Sequence, residues 1–292
     1  MAEQAQIQRV VVNGAELAYV DVGRGEPVFL IHGSLDDWRT WRYQIEPLAE
    51  QYRVIAYSRR WHYPNVWTEA GLPYSAKIHA ADLGALMTAL GVEAARVVAS
   101  SYGGVIALYF TYLNPGRVSR LVLGEPPLLH WLPALPEGQA LLDGFLNGYW
   151  NPAGEAFRRG NEERGVGLFL DGVLGAGTFA QLPARARATL LQNAPEMAAE
   201  TRTTEFAPPL QPDDVRGIDV PVLLLTGEHS PRMFHVITDE LARCLPQVRR
   251  ASIARATHVM HQGNAADYNR IVLQFLAGNS HDAAFVYQLS SE

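Results

Sequence analysis

The stretch Val97-Val98-Ala99-Ser100-Ser101-Tyr102-Gly103-Gly104 constrains this chain more than any other. The apolar run from Ala95 to Ala99 reads as a short buried strand, and Val105 to Phe110 reads as a helix. Between them lie two serines, a tyrosine and paired glycines, so a strand must turn sharply into a helix. A residue at such a turn stands exposed above a sheet, at the N-terminal end of a helix. Its side-chain oxygen is accessible there, and the nearby amides favour developing negative charge. The turn is too tight for bulky neighbours. A serine nucleophile gains most from this position, and the spacing to Gly103 favours Ser101 over the adjacent Ser100.

The flanking pattern supports a sheet. Asn13-Gly14 is a strong hairpin signal between strands at 10–13 and 16–22. The run Pro27–Ile31 is continuously apolar, as in a strand buried on both faces. Helical spacing follows from Trp38 to Gln51, then a strand at 54–57, a helix at 78–90 ended by Gly91, the turn already described, and a strand at 118–123. This alternation predicts an α/β fold with a doubly wound, mostly parallel sheet. Residues 126–212 break the rhythm. They open and close in prolines and carry helical patterns at 141–146, 153–161, 165–174 and 184–191. They are expected to form an inserted helical cap, hinged near Pro126 and Pro209, on a core made of residues 1–125 and 213–292. The sheet pattern resumes at 220–225, with a helix at 232–245, a strand at 248–253 and a helix at 265–277. The tail 279–292 gives no signal.

Composition excludes some functions. A formal net charge of -6 with no basic run argues against nucleic-acid binding. The single cysteine, Cys244, allows no internal disulfide and falls in a helical pattern as a small core residue. No apolar run approaches membrane-spanning length, and the first residues carry neither a basic n-region nor an apolar segment. The expectation is a cytoplasmic monomer or homodimer acting on a small molecule, with no cofactor and no metal.

The turn resembles the Gly-x-Ser-x-Gly nucleophile elbow of the α/β-hydrolases, with Ala99 in place of the first glycine. The resemblance covers about residues 8–278. It implies that His258, after the last strand, is the base, with His261 its rival. It implies an oxyanion hole of two backbone N–H groups, from Tyr102 and from Ser34 in His32-Gly33-Ser34, with His32 holding the loop. The acid departs from the family pattern, because Gly227-Glu228-His229-Ser230 places Ser230 where an aspartate is usual. Glu125, at the end of the strand after the elbow, is the preferred substitute, an arrangement similar to that of haloalkane dehalogenases and zearalenone-type lactonases. Glu228, or no dedicated acid, is the alternative. The tryptophans have two readings: core packing between cap and sheet, or, for Trp38, Trp131 and Trp150, the lining of an apolar substrate pocket. Arg59, Arg60 and His62 are expected to form a solvated loop with internal ion pairs, the alternative being that they hold a substrate carboxylate. The activity implied is hydrolysis of an ester or lactone through an acyl-enzyme. Alternatives are a carbon–carbon bond hydrolase, a cofactor-free oxygenase, or a weakly hydrolytic ligand receptor.

Overall fold

The structure is a computed structural model that describes residues 6–66, 74–204 and 210–278. Trp67, Pro208, Pro209 and the tail from residue 279 lie outside the described residues. Its strands are β1 (Gln8–Val12), β2 (Ala15–Gly23), β3 (Pro27–Ile31), β4 (Arg53–Tyr57), β5 (Ala95–Ser100), β6 (Val118–Gly124), β7 (Val222–Gly227) and β8 (Val248–Ile253). They form one sheet in the order β1-β2-β4-β3-β5-β6-β7-β8. The first hairpin is antiparallel and joins β4 antiparallel, while β4 through β8 are parallel.

Successive residues of a strand face opposite ways. Phe29, Ile55, Val97, Leu121 and Leu224 therefore enter one core, while Val28, Leu30, Val54, Val98, Val122 and Leu223 enter the other. Both faces are covered, which is why the central strands are apolar runs without alternation. The first core is closed by the helices α2 (Ala76–Ala89), α3 (Tyr102–Leu113) and α11 (Arg232–Cys244), the second by α1 (Ile45–Ala49) and α13 (Ala265–Leu276).

Between β6 and β7 the described chain is helical: α4 (Gly138–Phe145), α5 (Asn151–Arg158), α6 (Glu162–Leu174), α7 (Thr178–Gln181), α8 (Ala184–Leu191), α9 (Ala194–Glu200) and α10 (Pro212–Arg216). A π turn, Leu146–Trp150, joins α4 to α5. The short helix α12 (Met260–Gly263) precedes α13.

Two expectations need correction. The single helix over 38–51 divides into a 3-10 turn, Trp38–Trp41, and α1. Pro47 lacks the N–H and would crowd the carbonyl four residues back, so the α-helix begins only at Ile45. Arg59, Arg60 and His62 are buried, not solvated. The partners lie inside the protein: Arg60 forms an ion pair with Asp82 at 2.7 Å, and His62 Nε2 lies 3.2 Å from Glu196.

Candidate active site

Parallel pairing brings the chemistry to one end of the sheet. Ser100 is in register with Gly124, and Gly124 with Leu225, so Ser101 and Glu125 leave adjacent strands side by side. Ser101 sits at φ 53°, ψ −127°, a conformation costing on the order of 1–3 kcal/mol that persists only where surroundings enforce it. The enforcement is visible. Ser101 N–H donates to Gly124 C=O at 2.7 Å. A Cβ on Gly103 would stand 2.4 Å from Ile31 C=O, and one on Gly33 would stand 2.9 Å from Ser101 Cβ. Both glycines let backbone pass where side chains cannot.

Glu125 is fully buried and also has positive φ, 47°. Its Oε1 accepts from Gly227 N–H at 2.9 Å and its Oε2 lies 2.6 Å from His258 Nδ1. A carboxylate against Nδ1 fixes the proton on that nitrogen and leaves Nε2 as the free base. Phe234 stacks on the His258 ring at 3.9 Å between centroids, fixing its plane. His258 Nε2 is buried with no hydrogen-bond partner among the described residues. No hydrogen bond joins it to Ser101 Oγ here; such contacts commonly tighten only when substrate binds.

The alternatives lie elsewhere. Glu228 is half-exposed and accepts from Arg255 N–H at 2.7 Å. Ser230 Oγ is buried without a partner among the described residues. His261 bonds Thr40 Oγ1 through Nε2 at 2.8 Å, and burial lowers its pKa to about 3, so it stays neutral.

Ser101, His258, Ser34 and Gly33 share the wall of one cavity of about 230 Å³. Its apolar side is supplied by Phe169, Leu170, Val173 and Leu174 of α6 with Leu182 and Leu190. Of the two readings of the tryptophans, this arrangement favours packing over cavity lining. Trp131 is buried, with its indole N–H donating to Leu210 C=O at 2.8 Å. Trp38 packs in the second core. Trp150 lies behind Phe169, ring centroids 6.1 Å apart. None of the three lines the cavity.

The loop after β3 is held from below. Arg59 Nε donates to His32 C=O at 3.2 Å and Nη2 to Gly33 C=O at 3.0 Å. Arg59 N–H donates to His32 Nε2 at 2.9 Å, so the His32 proton is on Nδ1, which bonds Gly33 C=O at 2.9 Å. Burial, then His62 and Arg59, push His32 well below its usual pKa, so it is neutral. Two further residues at this loop, Glu196 and Glu200 of α9, went unnoticed in the sequence. Their available signal was an i, i+4 carboxylate pair on one face of a helix after Asn193. Ser34 Oγ donates to Glu200 Oε1 at 2.8 Å, and Leu35 N–H to Glu196 Oε2 at 3.2 Å.

Among the described residues, no group of three His, Cys, Asp or Glu side chains could hold a metal, and no helix is long and apolar enough to cross a membrane.

A parallel sheet with a strained serine between strand and helix, and a histidine after the last strand, is the architecture of the α/β-hydrolases. The model of the α/β-hydrolase fold family matches residues 26–264, and this chain belongs to that family. It is 32% identical over 123 residues to a soluble epoxide hydrolase of Corynebacterium sp. (strain C12), a match covering 42% of each chain. It is 35% identical over 130 residues to 2-hydroxy-6-oxo-2,4-heptadienoate hydrolase of Pseudomonas putida, covering 41% of this chain and 44% of the relative. The matched segments thus span less than half of either relative. In fold it is similar to carboxylesterase CesB of Bacillus subtilis, with TM-score 0.73, 19% identity, and coverage of 94% and 93% of the two chains.

Proposed function

We propose that this chain is a serine hydrolase that cleaves a carboxylic ester or lactone through an acyl-enzyme on Ser101. The observation that carries the reading is the 2.6 Å contact of buried Glu125 with His258, whose ring lines the cavity that Ser101 also lines. Ser101 Oγ attacks the carbonyl carbon as its proton passes to His258 Nε2. The N–H groups of Tyr102 and Ser34 receive the oxyanion. The carbon–oxygen bond of the ester then breaks, and His258 returns the proton to the leaving alkoxide, which in a lactone stays tethered to the acyl group. Water, deprotonated by His258, repeats the sequence and frees Ser101. Glu125 holds the imidazole and stabilises its cation. These steps need no metal or cofactor. The helices within 126–212 act as a cap whose α6 wall receives the apolar part of a small substrate.

The test is turnover of short p-nitrophenyl esters and γ-lactones, together with the mass of the protein after reaction with a serine-reactive phosphonate. Turnover and a single adduct on Ser101 are expected. No turnover, or an adduct on Ser100, contradicts the reading. A second reading, cleavage of a carbon–carbon bond, is favoured by the similarity to the heptadienoate hydrolase. Loss of dienoate absorbance without ester turnover would select it.

A further inference from the structure

We propose that Glu196 and Glu200 are positioning residues: they tether α9, an inserted helix, to the loop 33–35, so that the oxyanion donor at Ser34 is in place only when α9 is docked. The inference rests on the assignment of Ser34 N–H to the oxyanion hole made above. It starts from two carboxyl groups, both fully buried, one turn apart on a short helix. Such a pair is costly unless protons and charges compensate it.

The compensation is all around them. Tyr74 bonds both, its hydroxyl donating to Glu196 Oε1 and lying 3.3 Å from Glu200 Oε2. Arg59 Nη1 donates to Tyr74 Oη at 3.2 Å, and Nη2 lies 3.9 Å from Glu196 Oε1. His62 donates from Nδ1 to Asp36 C=O at 2.6 Å and approaches Glu196 with Nε2. Burial raises Glu196, but His62, Arg59 and the Tyr74 hydroxyl outweigh it and bring its pKa down to about 2. Burial lowers the His62 pKa against the pull of the Glu196 carboxylate, and Arg59 adds a permanent positive charge facing Glu196. Burial, then the Glu196 charge, drives Glu200 well above the carboxylate range. The pair therefore shares one proton, carried by Glu200, which hydrogen-bonds to Glu196.

Both tether points fall on the loop. Glu200 takes the Ser34 hydroxyl and Glu196 takes the Leu35 N–H, while Leu35 holds positive φ, 62°. Asn193, immediately before α9, adds its carboxamide N–H to Asp37 at 3.0 Å. From the other side Arg59 grips the His32 and Gly33 carbonyls. The loop is thus clamped between β-sheet and inserted helix. An oxyanion donor must point within a narrow cone, and loss of one such donor costs roughly 10² to 10³ in kcat. Loosening it should cost less.

The experiment measures kcat, KM, thermal midpoint and hydrogen–deuterium exchange of the peptide spanning residues 30–37, in wild type, Ser34→Ala, Glu200→Ala, Glu200→Gln and the Ser34→Ala/Glu200→Ala double variant. Glutamine can still accept from Ser34 and donate to Glu196. Glu200→Ala should speed exchange of the loop and lower kcat about 10-fold with KM within about twofold. Glu200→Gln should recover most of that loss, and the double variant should be no worse than the poorer single variant. Unchanged exchange and kcat in Glu200→Ala, with an active wild type, overturns the tether. Equal losses in Glu200→Ala and Glu200→Gln, or kcat that falls only in step with the thermal midpoint, overturns the positioning role. A wild type that neither turns over esters nor takes the phosphonate overturns the hydrolase reading itself, and the positioning role with it.

Discussion

Among the described residues, two histidine–glutamate pairs lie within 3.2 Å, and their surroundings differ. Glu125 meets His258 through Nδ1 at 2.6 Å, and the far nitrogen of that ring has no partner among the described residues on the wall of the cavity. Glu196 meets His62 through Nε2 at 3.2 Å, while Nδ1 is spent on the Asp36 carbonyl. The second pair is also tied to Arg59 and Tyr74, with every charged group sealed from water. What would separate the proposed proton-transfer pair from a structural one is therefore not burial or partner type. It is which nitrogen the carboxylate takes, and whether the other is left facing space where a reacting atom can sit.

This contrast can be broken most sharply at the first pair. Ser101→Ala and His258→Ala should each lower kcat by roughly 10⁴ to 10⁶ with the fold intact, read by ester turnover and by circular dichroism. A residual rate within tenfold of wild type would remove either residue from the chemistry. A smaller effect is expected where the cavity wall faces the Ser101–His258 side. Leu170→Trp should narrow it and shift preference between hexanoyl and acetyl esters by about 10- to 100-fold, since each methylene accommodated is worth about that much selectivity. An equal loss for both esters would take α6 out of the acyl site. At the second pair, His62→Asn should cost stability, about 1–3 kcal/mol by denaturant titration, with kcat changed less than tenfold. A collapse of kcat without loss of stability would erase the distinction between the pairs.

The smallest effect concerns Asp36, whose carbonyl takes the His62 Nδ1 of the second pair. Burial, then the neighbouring Asp37 charge, raises its pKa to about 7. A carboxyl whose folded pKa exceeds its unfolded value near 3.9 holds its proton longer in the folded state, so it costs nothing below about pH 4 and lowers stability as pH rises from about 4 to 7. Asp36 keeps some exposure at the cavity, which screens the effect. Asp36→Asn should therefore gain about 1 kcal/mol at pH 8 and nothing at pH 4. Equal stability change at both pH values would contradict the raised pKa.

Much of the sheet was legible because local pattern and tertiary environment agree there. Val248–Ile253 and Pro27–Ile31 emerged with the bounds expected, since apolar runs between breakers leave little freedom. Ser101 was legible through the small residues that its turn demands. Glu125 could be singled out only by noticing that Ser230 fills the usual acid position, and the choice against Glu228 needed three-dimensional facts: one carboxyl reaches His258, the other caps the Arg255 amide. Burial of Arg59, Glu196 and Glu200 was not legible, because charges separated by more than 130 residues compensate one another only after folding. The tryptophans stayed ambiguous in the sequence for a related reason. Aromatic rings fill cores and pockets alike, and sequence does not say which of the two a given ring meets.

The central claim is that Glu125 orients His258, and it is tested most directly by kcat for Glu125→Gln beside Glu228→Gln. Glutamine keeps the size and removes the charge. The account predicts a fall of about 10² to 10⁴ for Glu125→Gln and a change of less than about threefold for Glu228→Gln, with the phosphonate adduct still forming slowly on Ser101 in the former. Near-normal kcat for Glu125→Gln, with collapse for Glu228→Gln, would contradict it and return the acid to the loop after β7.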